Sequence, residues 1–140
     1  MSEENKALIL RQLEEVMNKH NPDAIDEFYA PDLVYHNAPP GIPPTREGVK
    51  AQVAMYMGAF PDTKVTSDFL VAEGDKVVIR WTATGTHTGD LGEIPATGKR
   101  TKTTGIAIFR VAGGKIVEEW FESDTMDLMQ QLGVVPAPGG

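Results

Sequence analysis

The chain has 140 residues, no cysteine and a formal net charge of −7, with 41% hydrophobic and 24% charged residues. This length suits one domain with a core of its own, and the composition is that of a globular protein. The acidic balance speaks against nucleic acid and against an anionic membrane surface, both of which demand a basic face, and the missing cysteines exclude disulfides, thiolate nucleophiles and cysteine-ligated zinc.

Ser2 is suited to cap a first helix, with Glu3 and Glu4 favourable in its first turn. Leu10, Leu13, Val16 and Met17 recur at helical spacing, and the helix is expected to end near His20. Asn21 and Pro22 open a short second helix carrying Ala24, Ile25 and Phe28, which Pro31 is expected to end. Residues 33–36 read as a short strand. Prolines 39, 40, 43 and 44 exclude regular structure over 37–44, and this stiff segment reads as the rim of a pocket. Thr45 caps a third helix that lines up Val49, Val53, Tyr56 and Phe60 on one face.

From there the pattern changes to strands over 63–72, 76–87, 100–111 and 115–123. In the second of these, Val77, Ile79, Trp81 and Ala83 alternate with Val78, Arg80, Thr82 and Thr84. Gly89, Gly92, Pro95 and Gly98 mark a long connection. Asp124 caps a last helix through Leu132, and Gly133 stops it. Residues 1–133 are read as one domain and 134–140 as a mobile tail. No apolar run approaches the roughly 20 residues of a membrane span, and the first residues carry no basic segment followed by an apolar one, so the expected location is cytoplasmic. Helices followed by a strand meander predict an α+β fold: a curved antiparallel sheet of four or more strands wrapped around three N-terminal helices, with a short C-terminal helix and a conical hollow for a small molecule.

Several motifs recur in order: Phe60-Pro61-Asp62, Arg80-Trp81, Gly85-Thr86-His87-Thr88-Gly89, Pro95-Ala96-Thr97-Gly98, Gly114-Lys115-Ile116-Val117-Glu118-Glu119-Trp120, Asp124 and Gln131-Leu132-Gly133. The set resembles the SnoaL-like polyketide cyclases, also called predicted ester cyclases, over nearly the whole chain and most specifically over 80–133. The resemblance implies the nuclear-transport-factor-2-like (cystatin-like) cone, a small apolar substrate, no cofactor, and homo-oligomers built on the outer face of the sheet. It also implies an Asp general acid/base on the last strand and a supporting His on the strand before. Aligned from Gly114-Lys115-Ile116, those two positions hold Phe121 and Ala107.

Chemistry must therefore reside elsewhere. Glu119 lies two residues before Phe121, so a regular strand points both the same way. A carboxyl among apolar walls is suited to act as base or acid near neutrality; otherwise Glu119 is solvated or paired with Arg80 or Arg100. His36, before the proline segment, is either a second proton carrier or a structural histidine, and His87 either faces the cavity mouth or fixes its loop. Arg80 and Thr82 share a strand face and either reach the substrate or pair structurally. Asp124 is invited by the resemblance, while its own position favours capping. Tyr35, Tyr56, Met55, Met57 and Trp81 shape a pocket or are plain core. No histidine spacing suits a metal, and no nucleophile or phosphate-loop motif occurs.

The expected function is proton transfer without a cofactor, a cyclisation or isomerisation of a small apolar carbonyl compound. Glu119 or His36 is the base, and Tyr35, Tyr56, Thr103 or His87 hold the enolate. The alternative is a binding protein on the same fold. Trp120, Trp81 and the β-branched residues of the late strands predict a homodimer through the outer sheet face.

Overall fold

A computed structural model describes residues 2–136. The order of elements is α1 (Ser2–Gln12), a π-helical stretch (Leu13–Asn18), a 3₁₀ turn (Pro22–Ala24), α2 (Ile25–Phe28), β1 (Tyr29–Tyr35), α3 (Arg46–Ala59), β2 (Lys64–Glu73), β3 (Lys76–Thr86), β4 (Arg100–Ala112), β5 (Lys115–Ser123) and α4 (Thr125–Leu132). Five strands make one sheet in the order β1-β5-β4-β3-β2, and α1–α3 pack across its concave side. This is the α+β cone that the helix-first pattern implied. Of the expected tail, residues 137–140 lie outside the described residues.

Local signals account for most element ends. The Thr45 hydroxyl accepts from Gly48 N at 3.3 Å, and Asp124 Oδ1 accepts from Asp127 N at 3.1 Å; each satisfies an amide that the first helical turn leaves free. Gly133 closes α4 at φ 79°, a left-handed conformation costly for a side-chain-bearing residue. Pro22 occupies the first turn after Asn21, where its missing N–H costs nothing.

Three expectations are corrected. The sheet is mixed, because β1 adds to β5 in parallel, with Tyr35 level with Glu119. The second helix stops at Phe28 and the chain is extended before Pro31, which an edge strand accommodates because one row of its N–H groups needs no partner. The first helix loosens into π geometry after Gln12. It buries Ile9, Gln12 and Val16, while Leu10 faces outward at 43% exposure.

Strand alternation sets the two faces of the sheet. In β3, Val77, Ile79 and Ala83 are buried, and Trp81 joins them on the inside. In β5, Ile116, Glu119 and Phe121 turn inward while Glu118, Trp120 and Glu122 turn outward. Ile9, Val16, Ile25, Phe28, Tyr35, Val77 and Ile116 form the packed base of the cone. A second cluster, Ala59, Phe60, Leu128 and Leu132, closes the end where α4 crosses.

Candidate functional site

Between the helices and the sheet lies a cavity of about 260 Å³. Its apolar middle is made by Val16, Met17, Val49, Val53, Ile79, Ala107 and Phe121. Among the described residues that line it there is no lysine, arginine or histidine, and Glu119 is the only carboxylic acid. Such a chamber suits a small uncharged molecule.

Glu119 occupies the inner face of β5, level with Phe109 on β4 and Tyr35 on β1. It is 5% exposed, and its Oε1 has no hydrogen-bond partner. Burial raises its pKa from 4.5 to about 8, because the charged form loses its water, and the nearby Tyr29 hydroxyl only partly offsets this. The acid therefore rests mainly protonated at pH 7 and releases its proton just above neutrality, the range in which a carboxylate is strong enough to take a carbon-bound proton. Tyr35 stands at the same level on β1, and the Tyr29 hydroxyl reaches Glu119 from the level of Ile116. The Tyr29 hydroxyl is 3.5 Å from Gln12 Oε1, and the Tyr35 hydroxyl donates to Gln52 Oε1 at 2.7 Å. Burial, reinforced by the Glu119 charge, holds both phenols above their usual range, so they remain donors.

Further from Glu119 the wall contains Trp81, Thr103 and Tyr56. The Trp81 indole N–H and the Thr103 and Tyr56 hydroxyls are buried without partners. Trp81 stacks on Phe121 with ring centroids 5.6 Å apart. It lies against Gly105, where a Cβ would overlap its ring and the Glu122 carbonyl. Tyr56 stacks on Phe60 at 4.7 Å.

Of the residues singled out from sequence, Glu119, Tyr35, Tyr56, Thr103 and Phe121 meet at this cavity, and so does Ala107. Trp81 and Met55 line it too, whereas His36, His87, Arg80, Thr82, Asp124 and Met57 do not. His36 stands on the outer face, stacked on Trp120 at 4.4 Å and bonded to Glu118 at 2.7 Å. It is the neighbour of inward-facing Tyr35, and adjacent residues of one strand point to opposite sides. Arg80 and Thr82 are also outside, both bonded to Asp68 Oδ2, at 2.7 and 2.8 Å. The β2–β3 register slips between Ser67 and Phe69, and Asp68 sits at that irregularity.

His87 is wholly buried, but it fixes its loop. Its Nδ1 accepts from Thr97 N at 3.2 Å and lies 3.0 Å from the Thr97 hydroxyl, and its ring stacks on Phe60. Asp124 is the α4 cap. Met55 lines the cavity and Met57 does not.

Tyr29, Gln12 and Gln52 were not anticipated. The glutamines are polar interruptions of otherwise apolar helix faces, which was the available signal. Tyr29 falls where the sequence pattern predicts helix up to Pro31 and the structure starts β1.

The SnoaL-like polyketide cyclase family model matches residues 7–132. Among solved structures, the chain is similar to TsrD from Streptomyces laurentii at 31% identity and TM-score 0.84, covering 94% of this chain and 96% of that one. It is similar to IdmH from Streptomyces antibioticus, a candidate polyketide cyclase, at 34% identity and TM-score 0.78, covering 92% and 98%. AclR from Streptomyces galilaeus, a candidate hydroxylase, matches at 28% identity and TM-score 0.85, covering 98% and 85%. No curated protein matches.

Proposed function

Because the chain belongs to the SnoaL-like polyketide cyclase family, we propose that it catalyses a cyclase- or isomerase-type proton transfer on a small uncharged carbonyl compound, with Glu119 as the base. One observation carries this reading: a buried carboxyl with one oxygen unpartnered, its pKa raised to about 8, in the wall of a mainly apolar cavity. The ionised Glu119 takes a proton from the carbon next to the carbonyl. Negative charge then develops on the carbonyl oxygen, where the Tyr29 and Tyr35 hydroxyls, both beside Glu119, become the donors that hold it by turning from Gln12 and Gln52. Proton return from Glu119 to another carbon gives isomerisation. Attack of the enolate carbon on a second carbonyl gives ring closure, with the proton passed to the new alkoxide.

The test needs no knowledge of the natural substrate. Exchange of the α-hydrogens of 4-phenylcyclohexanone in D₂O is followed by NMR with and without protein. The wild-type chain is expected to accelerate exchange, with a rate that rises with pH and levels off above about 8. Glu119→Gln is expected to lower it by about 100-fold, the usual loss for one general base. An equal rate in the two proteins would overturn the assignment.

A second reading has its own observation. Phe121 and Ala107, which stand where the resemblance implies an acid/base pair, both line the cavity as plain apolar wall. On that reading the protein binds its ligand without turning it over. Ketone binding detected by thermal shift, without exchange, would favour it.

A further inference from the structure

The cavity's polar groups fall into two sets at different levels of the sheet. Glu119 is level with Phe109 on β4, whereas Trp81 is level with Gly105, four residues away and about 13 Å along a strand. Thr103 is opposite Ala83, two residues further still. Tyr56 belongs to that end too, because the Phe60 on which it stacks packs against Gly85, two residues beyond Ala83. An indole N–H and two hydroxyls thus gather at the far end from Glu119, all buried and unpartnered. Tyr56 has the Thr63 hydroxyl beside it as a neighbour to share its proton with, so the Trp81 N–H and the Thr103 hydroxyl are the two groups left to be completed.

Buried polar groups are ordinarily satisfied, and two unsatisfied ones at one end of one cavity indicate something that completes them. The indole N–H only donates, so its partner must be an acceptor. With no cation in the described wall, that acceptor is uncharged. The indole occupies the space that a Cβ at Gly105 would fill, and one ring face is covered by Phe121, so the ring has a fixed place in the wall.

We infer that this end is a second recognition subsite, for a neutral oxygen of the ligand remote from the carbon that reacts. The natural ligand then carries oxygen at both ends of an apolar body: a carbonyl at Glu119, and a hydroxyl, ether or second carbonyl oxygen at Trp81 and Thr103. The inference rests on the proposed role of Glu119 only for which end reacts.

Two probes differing by one oxygen test it: 4-phenylcyclohexanone and 4-(4-hydroxyphenyl)cyclohexanone, titrated by calorimetry into wild type, Trp81→Phe, Thr103→Val and Glu119→Gln. The added oxygen is expected to tighten binding to wild type at least five-fold. That gain should shrink to two-fold or less in Trp81→Phe, which keeps a ring but loses the N–H, and should fall in Thr103→Val. Glu119→Gln should keep the gain even where it abolishes hydrogen exchange, which separates this inference from the catalytic one. Equal affinity of both probes for wild type would overturn it, as would a gain that survives both Trp81→Phe and Thr103→Val. If Trp81→Phe does not fold, Thr103→Val alone decides.

Discussion

Replacing Glu119 by Gln keeps the shape of the side chain and removes its ability to ionise, so the variant should reveal how much stability the buried acid costs. Below pH 4.5 both the folded and the unfolded chain hold the proton, and the group is neutral towards stability. Between 4.5 and about 8 the unfolded chain releases a proton that the fold retains. The folded state then binds more protons than the unfolded one, and stability falls as pH rises, by about 1.4 kcal/mol per pH unit for one proton. Above about 8 both states are ionised and the penalty is complete, about 5 kcal/mol for the whole shift. From pH 5.5 to 7.5 the wild type should therefore lose about 3 kcal/mol that the Gln variant keeps. For a domain of this size that corresponds to a relative change in Tm of roughly 10 °C. Thermal melts of both proteins across pH 4.5–9 provide the measurement, and the difference between the two curves isolates the one group. Parallel curves would mean that Glu119 titrates in the fold as it does in the unfolded chain. The argument for a base tuned towards neutrality would then fail.

The outer sheet face leaves Val34, Phe69, Val71 and Ile106 about half exposed beside Trp120. We propose that a second copy covers this face, so Trp120→Lys should lower the mass measured by sedimentation at micromolar concentration; a wild-type mass near 15 kDa would refute the dimer. Trp81 plays no part in that surface, since it lines the cavity. Asp124→Ala should lower stability by about 1 kcal/mol through loss of the α4 cap, read by denaturant titration, while leaving hydrogen exchange of the ketone unchanged. A fall in exchange with no change in stability would give Asp124 a role beyond capping.

Much of this protein is legible without coordinates because its signals are local. The caps at Thr45 and Asp124 and the stop at Gly133 each act within one helical turn. The two-residue period of a strand suffices to put Glu119 and Phe121 on one face and Trp120 on the other. The same period, applied to Tyr35 and His36, shows that only one of them can face inward. Which one it is depends on the parallel pairing of β1 with β5, a contact between residues more than 80 positions apart. Arg80 and Thr82 find Asp68 only because β2 slips register against β3. Gln12, Gln52 and Tyr29 reach the level of Glu119 from three different elements. The raised pKa of that acid is likewise a tertiary property: desolvation is the work of every side chain that closes over the carboxyl, and those side chains meet only when helices and sheet have packed.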